Sequence, residues 1–224
     1  MHTPKDLKTS ALVLRRTNYG EADRILSLIT PAGKISAIAR GVRKEKSKLA
    51  GGIELFSLSE LNIHLGKSDL GIITSARMTA YYSNILLDLT SVELASKILK
   101  AIDRSAESIE SPEFFTLAKS SLSALDRNIS QPLVETWFTL NLNKLLGSEL
   151  NLHRDKFGEK LSPEKTYAYD QLENAFFEHP SGDFTANEIK LLRLLLTSPL
   201  EVASRVKNLD SYLPKFTAFI CYNK

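Results

Sequence analysis

Between residues 11 and 79 apolar and polar positions alternate in short runs, the period of half-buried β-strands, and turn residues separate the runs. The first predicted strand covers 11–16 and runs into the loop Thr17-Asn18-Tyr19-Gly20-Glu21. The second covers 24–30, and Pro31-Ala32-Gly33 then forms a tight turn whose proline fixes φ and whose glycine relaxes it. The third, 34–40, sets Ile35, Ala37 and Ala39 on one side and Lys34, Ser36, Ile38 and Arg40 on the other. In the fourth, Leu55, Leu61, Ile63 and Leu65 share a face with Ser57 and Ser59, opposite Glu60, Asn62 and His64. It ends at Gly66-Lys67-Ser68-Asp69, and the fifth covers 70–79. Five short strands without a helical period predict a small closed or nearly closed antiparallel barrel. A five-stranded Greek-key barrel of the OB type fits best, and an SH3-like barrel is a competitor that periodicity alone does not separate.

At Ala80-Tyr81-Tyr82-Ser83 the period changes, which divides the chain into a barrel domain, 1–80, and a helical domain, 81–224. Val92, Ala95, Ile98, Leu99 and Ile102 recur at helical spacing. Ser111-Pro112 opens a second helix through Phe114, Phe115 and Leu122, and Pro132 opens a third through Trp137 and Phe138 to Leu146 and Gly147. Thr185 and Glu188 have capping-box spacing and start the leucine-rich run Leu191, Leu192, Leu194, Leu195 and Leu196, which Ser198-Pro199 stops. That run predicts either a central helix or one with an exposed side. A helix at 200–209 and a terminal segment interrupted by Pro214 complete a helical bundle. The polar stretch 154–169, with Gly158 and Pro163, predicts a loop or short hairpin outside the bundle.

Composition narrows the class. At 224 residues and 43% hydrophobic content the chain suits one large core or two modest ones. A polar N-terminus and the absence of an apolar run near the roughly 20 residues of a membrane span predict a soluble cytoplasmic protein without a membrane partner. The single cysteine, Cys221, lies in an apolar setting that reads as core; it excludes an internal disulfide framework and a multi-cysteine zinc site.

Charge changes the picture more. Residues 1–80 carry 13 Lys and Arg against 7 Asp and Glu, a net of +6; residues 81–224 carry 16 against 19, a net of −3. The basic excess concentrates in the stretch from Lys34 to Gly52, where a strand passes into a mobile loop holding Arg43, Lys44, Lys46 and Lys48. Such a run also fits a plain solvated loop, but the asymmetry between the two parts suggests a nucleic-acid footprint. The candidate DNA-binding residues are Arg24, Lys34, Arg40, Arg43, Lys44, Lys46, Lys48 and Lys67, with Arg15 and Arg16 adjoining and Tyr19 placed to stack on a base. Phe56 reads as core.

Catalytic motifs are missing: no phosphate-binding P-loop, no HExxH, no GxSxG, and His2, His64, His153 and His179 lack metal-ligand spacing. Glu21 and Asp23 beside Arg24 read as loop anchors rather than an acid–base pair. The residues alone leave open a DNA-binding protein, an OB-fold RNA-binding protein and an enzyme without a recognised motif.

The run Asn18-Tyr19-Gly20-Glu21-Ala22-Asp23-Arg24-Ile25, then Thr30-Pro31-Ala32-Gly33-Lys34-Ile35-Ser36-Ala37-Ile38-Ala39-Arg40-Gly41-Val42-Arg43-Lys44, then Ser47-Lys48-Leu49 and Leu55-Phe56, resembles the RecO family of recombination mediators. The resemblance is specific through residues 10–80 and looser in 138–147 and 184–195. It implies an N-terminal OB-fold, a C-terminal helical domain and a role in DNA repair. That role comprises binding single- and double-stranded DNA, annealing complementary strands, and helping RecR load RecA onto DNA coated by single-stranded DNA-binding protein (SSB), whose acidic tail docks on the helical domain. Many members carry a four-cysteine zinc site in that domain; this chain has no cysteine there, so the stretch 154–169 is expected to be a metal-free loop, and no cofactor is expected.

Overall fold

The computed structural model describes residues 5–66, 68, 70–109 and 111–222, with the backbone alone for 5, 221 and 222. The predicted contact residue Lys67 and the side chain of Cys221 lie outside the described residues. The chain forms two compact units, 1–127 and 128–224.

In the first unit β1 (Lys5–Tyr19), β2 (Asp23–Thr30), β3 (Gly33–Ala39), β4 (Ser57–Leu65) and β5 (Leu70–Tyr81) close into a barrel in the order β1-β2-β3-β5-β4. All neighbours are antiparallel except β3 and β5, which run parallel, with Ser36 opposite Leu70. This Greek-key order is OB-like, as the strand count suggested. Ala11, Val13, Leu26, Leu28, Ala37, Ala39, Leu61, Ile63 and Ile73 fill the interior. In β4 the predicted alternation holds: Ser57, Ser59, Leu61 and Ile63 are buried, and Asn62 is exposed. Bulges shift the register in β1 between Val13 and Arg15 and twice along β4–β5. At the latter two, Thr74 and Thr79 donate hydroxyl hydrogens to the carbonyls of Asn62 and Leu58, 3.2 and 3.0 Å away. Such extra residues bend strands and let a small sheet close.

The barrel has a second buried face. Leu12, Leu14, Ser27 and Ile29 alternate with the interior residues and therefore point outward, yet all are buried. The helices α1 (Leu89–Ser105) and α2 (Glu113–Asp126) pack on β1 and β2 and cover them. Asp88 caps α1, its carboxylate accepting the Ser91 N–H at 2.9 Å. Of the helical stripe read from the sequence, Ala95, Ile98, Leu99 and Ile102 are buried and Val92 is half-buried.

The second unit holds α3 (Gln131–Leu145), α4 (Ala186–Thr197), the single turn α5 (Leu200–Ala203) and α6 (Leu213–Tyr222). It is not helical throughout. The strands β6 (Thr166–Asp170), β7 (Ala175–Glu178) and β8 (Phe184–Thr185) make a small antiparallel sheet in the order β7-β6-β8. The stretch 154–169 carries an isolated bridge between Arg154 and Lys160 and then enters β6. Trp137 and Phe138 are core, and in α4 Leu192, Leu195 and Leu196 are buried while Leu191 and Leu194 are half-buried. The predicted capping box starts α4: Thr185 Oγ accepts the Glu188 N–H at 3.3 Å, and the Glu188 carboxylate accepts the Thr185 N–H at 2.7 Å. Two readings need correction here. The helix expected at 200–209 stops after Ala203, with Asn208 in the left-handed region at a φ of 60°. Pro214 does not interrupt a helix but sits in the first turn of α6, where its missing N–H would have had no partner.

Candidate nucleic-acid interface

β3 delivers the chain to the basic stretch at Arg40, and from there the backbone winds through a series of tied turns rather than an open loop. Gly41 takes a φ of 62°, which glycine adopts without strain, and its N–H is accepted by Asp23 Oδ1 at 2.7 Å. The Arg43 N–H reaches the Ala22 carbonyl at 2.9 Å, so the β1–β2 turn and the basic stretch are stitched together. Lys44 N–H to Gly41 O and Ser47 N–H to Lys44 O, at 3.1 and 3.0 Å, continue the winding. Val42 and Ile53 are buried in the barrel core, and Leu49 and Ala50 pack against it. Gly52 lies so close to β5 that a Cβ there would sit 2.6 Å from the Ala76 backbone. The apolar residues pin the segment, and the charged ones between them face outward.

Arg40, Arg43, Lys44, Lys46 and Lys48 are exposed. Among the described residues none of the five has a carboxylate within ion-pair distance. Strand pairing brings Tyr19 and Arg24 to the same end of the barrel: Arg24 lies opposite Asn18 on one side and Ala39 on the other. Arg24 Nε is 3.3 Å from Asn18 Oδ1, Arg43 donates to the Gly20 carbonyl at 3.4 Å, and Tyr19 is 56% exposed. Asp23 is a loop anchor and Phe56 is core, matching the expectation from sequence.

Lys34 sits elsewhere. At the far end of β3 its ammonium lies 2.8 Å from Asp103 Oδ1 and 2.6 Å from the Asp103 carbonyl, with Glu107 at 3.8 Å, and its side chain is 14% exposed. Asp103, on α1, also accepts from Ser27 at 2.6 Å and from Arg15 at 3.1 Å. Burial opposes ionisation of this carboxyl, but the hydrogen bonds from Lys34, Ser27 and Arg15 and the charge of Lys34 outweigh it and hold its pKa below the usual range. Arg16 is likewise matched, 2.6 Å from Glu54. Lys34, Arg15 and Arg16 thus hold the unit together. Asp103 escaped the sequence reading because its only mark is a carboxylate one residue beyond the apolar stripe of α1.

His64 lies 2.8 Å from Asp6, and among the described residues no three His, Cys, Asp or Glu side chains converge as metal ligands. No helix among the described residues is long and apolar enough to cross a membrane.

Residues 1–82 match the family model described as recombination protein O N terminal, and residues 86–210 match recombination protein O C terminal. A protein of Dehalococcoides mccartyi named DNA repair protein RecO is 38% identical over 149 residues, 66% of this chain and 58% of its own length. One of the same name from a Roseiflexus species is 28% identical over 208 residues, 89% of this chain and 73% of that protein. Another, from Desulfitobacterium hafniense, is 35% identical over 139 residues, 61% of this chain and 50% of its own length. The matched stretch thus spans 58% and 50% of the length of two of these three. With both family models together covering the barrel and most of the helical part, the chain belongs to the recombination protein O (RecO) family.

Proposed function

We propose that this protein is a recombination mediator in DNA repair that binds single- and double-stranded DNA through the pinned basic segment and anneals complementary strands. In this reading residues 1–80 supply the DNA-binding domain and 81–224 the helical domain. The helical domain meets RecR and the SSB tail, and the outcome is RecA loading on SSB-coated DNA in the cytoplasm. The observation that carries the reading is the unmatched charge: five exposed cations without carboxylate partners among the described residues, on one tied segment beside an exposed tyrosine. The names of the relatives, DNA repair protein RecO, supply the process.

The mechanism needs no turnover. Two strands repel through their phosphates, and a surface that neutralises both lowers the cost of approach while leaving the base edges free to pair. Phosphate contacts give affinity without sequence preference.

Single-stranded DNA affinity measured by fluorescence anisotropy across a salt series, with annealing of complementary SSB-coated oligonucleotides, tests the reading. The wild-type chain should bind with an affinity that falls steeply as salt rises, and should accelerate annealing. Replacing Arg40, Arg43, Lys44, Lys46 and Lys48 by alanine should flatten the log–log salt slope by about 3.5, at roughly 0.7 for each phosphate no longer neutralised. Unchanged binding in that variant would sink the site. Equal preference for an RNA oligonucleotide, without annealing, would instead mark an OB-fold protein of RNA metabolism.

A further inference from the structure

We infer a second phosphate-binding site, on the second unit, in a pocket of about 330 Å³ lined by His153, Arg154, Lys160, Leu161, Lys190 and Arg193. Four cations and an imidazole line it without a single carboxylate. Elsewhere in the same unit four lysines are matched: Lys144 with Glu149, Lys156 with Asp170, Lys165 with Glu178 and Lys215 with Glu188, at 2.5–3.4 Å. Among the described residues none of the pocket's four cations has such a partner. Like charges gathered without compensation disfavour the folded chain, and Lys190 and Arg193, three apart on α4, repel along one helix face. Such an arrangement is relieved when an anion enters.

The site is also built rather than merely solvated. Arg193 donates through Nε to the carbonyl of buried Leu152 at 3.0 Å and through a second nitrogen to the same oxygen. Arg154 donates to the Gly158 carbonyl at 2.6 Å, and its own N–H lies 3.4 Å from Asn151 Oδ1. The buried carboxylate of Asp155 is turned to the N–H groups of Phe157 and Glu159, at 2.9 and 2.8 Å, and does not line the pocket. These bonds to neutral groups orient both guanidinium forks, leave their charge uncompensated, and keep several of the five donors of each free.

The ligand class follows from the lining. Leu161 is its single apolar side chain, so an acidic peptide would find little to anchor an apolar residue, whereas a phosphodiester needs only charge and donors. The occupant is therefore the phosphate backbone of a nucleic acid, which rests on the nucleic-acid reading above and adds a second point at which one chain holds a strand.

The test uses the full chain and a fluorescein-labelled oligothymidylate in a salt series. Lys160→Glu with Lys190→Glu reverses two exposed charges that make no side-chain hydrogen bond among the described residues. This double variant should lose about tenfold in affinity and flatten the salt slope by about 1.4, roughly 0.7 for each lysine. The charge-conserving pair Lys160→Arg and Lys190→Arg should keep the wild-type slope. A control with the same change of net charge outside the pocket, Arg205→Glu with Lys207→Glu, should leave the slope unmoved. If the pocket reversal leaves the slope intact, or the control flattens it equally, the second site is overturned while loss of binding in the barrel-segment variant would keep the proposed function standing. If the pocket reversal abolishes binding of a fluorescent oligoglutamate but spares DNA, the site takes an acidic chain and the inference fails. A wild-type chain that binds no DNA in any salt would overturn the reading beneath both.

Discussion

Two sets of cations sit on the same barrel and differ in what faces them. Arg15, Arg16 and Lys34 meet carboxylates at 2.6–3.1 Å, and Lys34 is largely withdrawn from water. Arg40, Arg43, Lys44, Lys46 and Lys48 meet none among the described residues and project from a segment fixed by Val42, Leu49, Ala50 and Ile53. In the sequence both sets are simply basic. In the fold Arg15 and Lys34 tie α1 to β1 and β3, Arg16 ties β1 to Glu54 just before β4, and the second set is left as uncompensated surface charge. Net charge alone therefore does not distinguish cations held by carboxylates from cations left uncompensated at the surface.

The contrast is broken most severely at Asp103. Replacing it by alanine leaves Lys34 with the backbone carbonyl of residue 103 and the distant Glu107 but no close carboxylate, and removes the side-chain acceptor of Ser27 and Arg15. The expected loss is roughly 2–3 kcal/mol, below the full cost of orphaning a buried charge because Lys34 keeps some exposure. Urea unfolding should show an earlier midpoint with an unchanged slope, while DNA affinity of the folded variant stays within a factor of two. An unchanged midpoint would mean that the clamp contributes nothing. The same carboxyl sets a pH dependence. Its native pKa is lowered, so its contribution is complete above the unfolded value, about 4, and disappears as the pH falls through the native value. Glu188, where burial is likewise outweighed by hydrogen bonds from Lys215 and Thr185, adds a loss of the same sign in the second unit. Acid unfolding of Asp103→Asn should consequently be less steep than that of the wild type over this range.

Gly52→Ala tests whether the unmatched set must be held in place. The new Cβ would meet the Ala76 backbone at 2.6 Å, where no flexible side chain can yield. Overpacking of this kind costs about 1–3 kcal/mol. Displacing the turn at 50–52 should also weaken DNA binding several-fold, although no charge is removed. Reduced stability with undiminished affinity would show that the cations work equally well on a loosened segment.

Much of this was legible in the sequence, and the reasons are local. Alternation in 34–40 and 57–65 sets strand faces, and a single buried surface on one side of a strand is all that such alternation requires. Thr185 and Glu188 announce a helix start because the capping box is satisfied within four residues. Long-range partners have no such signature. The stripe of α1 shows that one face is buried but not against what, so the cover over Leu12, Leu14, Ser27 and Ile29 is invisible until the chain is folded, and with it the fate of Lys34. The small sheet of the second unit escapes because its strands are two to five residues long and aromatic, too short for a period to show. The pocket cations Arg154, Lys160, Lys190 and Arg193 lie in two stretches some 30 residues apart, and neither stretch is a charge run.

The smallest effect gives the sharpest form of the comparison. Arg77 on β5 is exposed like the cations of the basic segment, with 75% of its side chain in solvent, but its guanidinium lies 2.7 Å from Glu60 Oε2. The hydrogen bond and charge of Arg77 hold the Glu60 carboxyl below the usual range, so at neutral pH the pair is a matched dipole on the β4–β5 surface. A phosphate that approached Arg77 would have to displace Glu60 or tolerate it. Arg77→Ala should therefore leave the salt slope for single-stranded DNA where it is, whereas Arg43→Ala should flatten it by about 0.7. If the two variants flatten the slope equally, partnering does not decide which cations bind, and DNA must also cross the β4–β5 face that Glu60 guards.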